Sequence, residues 1–258
     1  MGNLKYLVPN GFTALSMLFG FASILCAARG QLELAAWMIT WGVLLDKLDG
    51  TAARLLKASS EFGVQFDSFA DFVIFGLAPG ALFYFLVDAD AGAARWGGMP
   101  TYGLVGSGVY VVLTACRLAR FNISDPPGGD RVFYGLPTTL SGATLSTGYL
   151  AWVKHSEVNG GPLPALPSLS GTALTVALAW VLLHGALMVS PLILPKLRMR
   201  KSKALNAFQV INVSAAYVLA PLMLLPELLF GQCLLYIFAG FAVGALKGIG
   251  EEPQASAG

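Results

Sequence analysis

The stretch Asp46–Asp71 reads DKLDGTAARLLKASSEFGVQFDSFAD, and its reading decides what the remaining chain is for. It sets Asp46, Asp49, Asp67 and Asp71, with Arg54, Gly50 and Gly63, between two strongly apolar runs. A carboxylate near a bilayer is costly, and four close together repel one another unless a cation sits between them. Asp46 and Asp49 are three residues apart at the end of one apolar helix; Asp67 and Asp71 are four apart at the start of the next. Each pair therefore shares a helix face, and a short joint would turn the two pairs toward each other. Hard oxygen ligands of this kind suit one or two magnesium or manganese ions that also hold a phosphate group. Gly50 and Gly63 would let a bulky ligand approach the backbone, and Arg54 can pair with phosphate oxygens. The competing reading has the carboxylates capping helices or pairing with Lys47, Arg54 and Lys57. Capping, however, requires neither the glycines nor this spacing.

Outward from this stretch the chain is apolar. Of its 258 residues 56% are hydrophobic and 12% charged, and the mean hydropathy is +0.69. A water-soluble surface needs more charge, so the expectation is an integral membrane protein. Apolar runs recur with short polar gaps, which predicts one membrane domain over residues 1–248 and a disordered tail, 249–258. The formal charge of +2 gives no sign of a nucleic-acid partner. Cys26, Cys116 and Cys233 are isolated in or beside apolar runs, without a C-x-x-C pair, and read as packing thiols.

Stretches of spanning length run approximately over 9–28, 34–56, 65–87, 101–121, 136–153, 170–191, 207–225 and 229–247. The expected fold is an all-α, polytopic bundle of about eight transmembrane helices. The first run is read as a span and not as a signal peptide, since only Lys5 supplies positive charge ahead of it and bulky Leu25 precedes Cys26. Sorting the sixteen basic residues over the alternating sides puts thirteen with the amino terminus and leaves Arg29, Arg95 and Lys154 opposite. By the positive-inside rule both termini, and the aspartate stretch with them, are expected to be cytoplasmic.

The spacing Asp46-x-x-Asp49-Gly50-x-x-Ala53-Arg54, eight residues, then Gly63-x-x-x-Asp67-x-x-x-Asp71 resembles at every fixed position the signature of the CDP-alcohol phosphatidyltransferase family. The resemblance implies an intramembrane enzyme that moves a phosphatidyl group from a CDP-lipid to an alcohol and releases CMP. It implies that Asp46, Asp49, Asp67 and Asp71 hold two divalent ions and that Asp71 is also the catalytic base. Gly50, Ala53 and Gly63, with Asp49 and Arg54, correspond to the nucleotide-binding positions. A homodimer in a bacterial inner membrane, with its active site on the cytoplasmic side, is implied as well.

Further segments resemble the phosphatidylserine synthase branch of that family: Val8-Pro9-Asn10-Gly11-Phe12-Thr13, Phe75-Gly76-Leu77-Ala78-Pro79, Cys116 to Asn122, and Tyr134-Gly135-Leu136-Pro137-Thr138. Thr139 stands where that branch often has a proline. The implied substrates are CDP-diacylglycerol and L-serine. Serine brings a carboxylate and an ammonium besides its hydroxyl, so its site needs a cation. Arg117 and Arg120, three apart on one helix face, are the candidates for the serine carboxylate or the lipid phosphate, with Asn122 and Arg131 beside them. The bland alternative has these arginines marking a cytoplasmic boundary against lipid headgroups. Sister enzymes that take glycerol phosphate, inositol phosphate or choline stay open, as does a divalent-cation transporter with intramembrane aspartates.

The run Lys196, Arg198, Arg200, Lys201 and Lys203 is expected to meet anionic membrane lipids. His184, inside the sixth apolar run, reads as a hydrogen-bonded packing residue. Gly76-x-x-x-Gly80 and the series Gly240, Gly244 and Gly248 allow close helix approach, either within the chain or between two copies.

Overall fold

The first apolar run lies within residues 4–28, which in the computed structural model form α1 (Leu4–Ala28). The chain reverses at Gly30, whose φ of +77° suits a residue without a side chain, and returns along α1 as α2 (Leu32–Leu55). The structure describes residues 4–88, 95–96, 98–123, 131–156, 159–161, 163, 172–196 and 203–248. The expected tail, 249–258, and Arg198, Arg200 and Lys201 of the basic run lie outside them.

Beyond α2 the joint 56–60 is five residues long. Its end is set by Ser60, which is extended (φ −146°, ψ 154°) and accepts a hydrogen bond at 3.0 Å from the Gly63 N–H. That is an N-cap, and it starts α3 (Glu61–Asp71) where the aspartate spacing needs it. The same rod continues through a wider π-helical segment (Phe72–Leu77) into α4 (Ala78–Asp88). A two-stranded ladder, β1 (Arg95–Trp96) with β2 (Met99–Pro100), leads into α5 (Thr101–Ile123). Then come β3 (Val132–Tyr134), α6 (Thr138–Lys154), α7 (Thr172–Val189), β4 (Ile193–Pro195), α8 (Lys203–Leu219) and α9 (Pro226–Gly248).

Helices occupy each range in which an apolar run predicts one. Among the described residues four helical rods are both long and apolar enough to cross a membrane: Lys5–Ala28, Glu61–Asp88, Thr101–Ile123 and Pro226–Leu246. α2 carries Asp46, Lys47, Asp49 and Arg54 in its last turns, which shortens its apolar part; α6 and α8 have 17 residues each. The all-α expectation needs amending for two short ladders, β1–β2 and β3–β4. β3 and β4 pair antiparallel, Val132 opposite Pro195 and Tyr134 opposite Ile193, and tie the segment before α6 to the segment after α7.

The packing is layered around the α3–α4 rod. Ile74, Phe75, Ala78 and Leu82 pack with Ala35, Ala36 and Ile39 of α2, Leu150 of α6 and Ala220. Further along, Phe83, Leu86 and Val87 meet Tyr110 of α5, Val181 and Met188 of α7 and Ile237 of α9. Polar side chains in this interior include matched pairs: Ser23 donates to the Ala35 carbonyl at 2.8 Å, and Thr40 meets Ser146 at 3.2 Å. Lys154 and Glu227 close the far end of α6 and α9 at 2.7 Å. Large apolar side chains such as Leu18, Phe21, Val112, Ile211 and Phe238 stand exposed on the outer helix faces, as in a protein whose solvent there is lipid.

The glycine series are used inside the chain. A Cβ on Gly76 would lie 3.1 Å from Thr114, and one on Gly80 2.8 Å from Val111, so both admit α5 against the rod. Gly240 and Gly244 likewise admit Leu194 and Ile193 of β4 against α9.

Candidate active site

The α2–α3 joint brings the two aspartate pairs together. One carboxylate oxygen each from Asp46, Asp49 and Asp67 falls within a set whose members all lie within 4.8 Å of one another. Asp71 stands against Asp46 and so adjoins the set. Three oxygens at this separation are close enough to bind one small divalent ion in common, and the donor set is all hard oxygen, as magnesium or manganese prefers. Without a cation the same approach would be repulsive. The residues fit a divalent ion.

Each carboxylate has a support drawn from a different helix. Thr13 of α1 donates its hydroxyl to Asp49 Oδ2 at 2.9 Å. Thr138, the first residue of α6, donates to Asp71 Oδ2 at 3.3 Å, and Thr139 stands beside Asp46. The positive end of the α6 helix dipole therefore faces the cluster. Lys47 lies 3.7 Å from Asp46 and is itself exposed. Of the basic neighbours, Lys47 thus pairs with Asp46, whereas Arg54 turns to Thr51 of its own helix at 3.2 Å.

The small residues around the cluster differ in what they make room for. A Cβ on Gly50 would meet only the Arg54 guanidinium, at 3.5 Å, so the space beside Gly50 is open to a ligand. At Gly63 a Cβ would crowd the Ser60 hydroxyl at 3.1 Å and Asn10 at 3.5 Å. There the missing side chain serves the helix cap and the close approach of α1. Ala53 is half-buried on the same helix as Gly50.

The expected acceptor residues part company. Arg117 is 6% exposed, donates Nε–H to the Leu136 carbonyl at 3.1 Å, and places its charge close enough to Asp71 to act on it. Its ring contact is Phe121, 5.3 Å from the guanidinium carbon. Arg120, by contrast, donates to the carbonyls of Val189 (2.8 Å), Tyr134 (3.1 Å), Ser190 (3.3 Å) and Met188 (3.4 Å). It closes the carboxyl end of α7 and the β3 strand, and these carbonyls engage both of its terminal nitrogens. Asn122 exchanges hydrogen bonds with Ser68 of α3, Nδ2 donating at 2.9 Å. Arg131 is exposed at the start of β3. His184 sits in α7, buried, with Nδ1 2.9 Å from the Trp180 carbonyl. A carbonyl only accepts, so Nδ1 carries the hydrogen, and the residue packs as its sequence position suggests.

Sequence reasoning on the aspartates overlooked the three threonines and Tyr110, whose hydroxyl donates to the Phe75 carbonyl at 2.8 Å. Thr13, Thr138 and Phe75 stand in phrases that the sequence singles out, but a threonine in an apolar helix carries no sign of its distant partner.

A cluster of this kind, at one end of an apolar helical bundle, could hold a divalent ion beside a phosphate group. The family model described as CDP-alcohol phosphatidyltransferase matches residues 6–183, and the chain belongs to that family. It is 34% identical over 196 residues to the CDP-diacylglycerol–serine O-phosphatidyltransferase of Helicobacter pylori strain 26695, covering 76% of this chain and 75% of that protein. The Bacillus subtilis protein of the same name is 31% identical over 138 residues, 54% of this chain and 72% of its own length. An archaetidylserine synthase of Methanothermobacter thermautotrophicus is 34% identical over 145 residues, 55% of this chain and 58% of that one.

Proposed function

We propose that the protein makes phosphatidylserine and CMP from CDP-diacylglycerol and L-serine. The observation that carries the reading is the convergence of Asp46, Asp49 and Asp67 within 4.8 Å, with Asp71 against them, in a chain of this family. The names of relatives at about one-third identity support serine as the acceptor.

Asp46, Asp49, Asp67 and Asp71 would hold one or two Mg2+ or Mn2+ ions. Such ions supply charge neutralisation of the pyrophosphate and of the departing CMP. The chain's own residues do the rest. Asp71 takes the hydroxyl proton of serine as that oxygen attacks the lipid-side phosphorus, and the bond from this phosphorus to the CMP oxygen breaks with its electron pair. Thr138 holds Asp71 by one oxygen and so aims the other. The open space beside Gly50 and Ala53 takes the nucleotide, and Arg54 would leave Thr51 to reach its phosphates. Arg117 offers its remaining guanidinium hydrogens to the serine carboxylate or the lipid phosphate.

The remaining features of the reading are eight spans with both termini cytoplasmic, the site at the cytoplasmic face of a bacterial inner membrane, and a homodimer. The thirteen-to-three distribution of basic residues supports the orientation. The test is CMP release by the purified protein from CDP-diacylglycerol with Mg2+ or Mn2+, with and without L-serine. Serine-dependent release that Asp71→Asn abolishes is the expected result. Release that responds to glycerol phosphate, inositol phosphate or choline but not to serine would move the protein to a sister activity. Metal flux into sealed vesicles without any CMP release would replace the enzyme reading altogether.

A further inference from the structure

Asp67 and Asp71 lie at the end of α3, and the next residue begins the π-helical segment Phe72–Leu77. The cause of the widening is four residues ahead of Pro79. In an unbroken α-helix Phe75 C=O would accept from residue 79, but Pro79 has no N–H and its ring would press on that carbonyl. The helix instead opens to i→i+5 bonding, with Ala78 N–H reaching Val73 O. The Phe75 carbonyl is then met from another helix. Tyr110 of α5, fully buried, donates its hydroxyl to it at 2.8 Å and sits 3.1 Å from the Ser141 hydroxyl of α6.

The seat around this segment is cut for it. A Cβ on Gly20 of α1 would lie 2.9 Å from Ile74 Cα, and one on Gly42 of α2 2.7 Å from Ile74 Cδ1. One on Gly142 of α6 would lie 2.8 Å from the Phe75 ring. The helices that grip the segment are thus those that carry Thr13, Asp46, Asp49, Thr138 and Arg117. A π turn holds an extra residue, so closing it to α geometry turns everything on its amino-terminal side by roughly 100° relative to α4.

Resting on the metal reading above, we infer that Tyr110 is a positioning residue. By holding the Phe75 carbonyl that Pro79 leaves without an N–H, its hydroxyl keeps the π turn open and so fixes the rotational phase at which Asp67 and Asp71 face Asp46 and Asp49. Tyr110 touches neither metal nor substrate; it acts through the backbone of the rod.

Two variants test this from opposite sides. Tyr110→Phe removes the hydroxyl and keeps the ring, whereas Pro79→Ala restores the N–H that lets the Phe75 carbonyl return to α bonding. Mn(II) binding to the full-length protein in detergent is titrated by electron paramagnetic resonance, alongside thermal unfolding of the same samples. Both variants are expected to weaken Mn(II) binding about tenfold, the scale for losing a group that orients a metal ligand. Tyr110→Phe should unfold at lower temperature, but Pro79→Ala at an equal or higher one. A merely structural role would move affinity and stability together, and Phe83→Leu, which thins the same rod beyond the segment, is expected to lower only stability. A folded Pro79→Ala or Tyr110→Phe protein that binds Mn(II) as the wild type does overturns the inference. The titration needs neither serine nor CDP-lipid, so wild-type protein that binds Mn(II) without releasing CMP defeats the transferase reading alone.

Discussion

Thr13 and Asp49 stand 36 residues apart and are joined by a 2.9 Å hydrogen bond from the threonine hydroxyl to Asp49 Oδ2. The same hydroxyl lies 3.1 Å from the Pro9 carbonyl of its own helix. The charged oxygen is the stronger acceptor of the two, so the bond links α1 to the aspartate-bearing end of α2. Asp49 is itself buried, and its orientation depends on that link.

Thr13→Val keeps the shape and removes the donor. The Mn2+ or Mg2+ concentration for half-maximal CMP release is expected to rise about tenfold, with a smaller change in the rate at saturating metal. Thr13→Ser, which restores a hydroxyl, should recover most of the loss. An unchanged metal requirement in Thr13→Val would show that Asp49 keeps its aim without α1.

In the proposed mechanism Asp71 is the base and Thr138 its support. Asp71→Asn leaves a group that cannot take the serine proton, and CMP release at saturating substrates should fall by about two to four orders of magnitude. Thr138→Ala leaves the base in place but removes its 3.3 Å hydrogen bond, so the expected loss is nearer to tenfold. Initial rates of the two variants with saturating serine and metal decide the matter. Equal losses would mean that Thr138 touches the substrate itself.

Arg117 and Arg120 should respond to lysine in opposite ways. Arg120 fans over four carbonyls from two stretches of chain, and one ammonium cannot reach them all. Arg120→Lys is expected to cost about 1–3 kcal/mol of stability while KM for serine stays as it was. Arg117→Lys keeps a charge near Asp71 but loses the planar fork, and KM for serine should rise about tenfold. Thermal unfolding and steady-state kinetics on both proteins would expose a swapped pattern.

The difference between those two arginines is one that the sequence does not announce. Residues three apart on a helix share a face, and that much is legible; whether the face meets a ligand or the carbonyls of Tyr134 and Met188 depends on elements far along the chain. The aspartates were legible for the opposite reason. Their signal is local, a repeated three- and four-residue spacing with glycines in apolar surroundings, and Ser60 fixes the joint within that same window. Helix positions followed from apolar runs, whereas the β3–β4 ladder joins residues some 60 apart and leaves no local pattern. The π segment is an intermediate case. Pro79 announces a disturbed helix, but only the fold reveals that Tyr110 meets the carbonyl it leaves behind.

Two glycines give predictions of opposite sign. Gly42 faces Ile74, and a Cβ there would lie 2.7 Å from Ile74 Cδ1, so Gly42→Ala must push the rod away from α2 or force Ile74 off its rotamer. The expected loss is about 1–3 kcal/mol, the usual range for overpacking a core. Because Asp46 stands one turn further along the same face of α2, the displacement should also weaken Mn(II) binding. Gly11, by contrast, lies within α1 with nothing within 4 Å of its would-be Cβ. Alanine there gains helix propensity without a clash, and Gly11→Ala is expected to stabilise by about 0.5–1 kcal/mol. Thermal unfolding of both variants in the same detergent measures the contrast. If Gly42→Ala proves as stable as the wild type and binds Mn(II) equally well, the close seat of Ile74 between α1 and α2 does not hold the carboxylates in place.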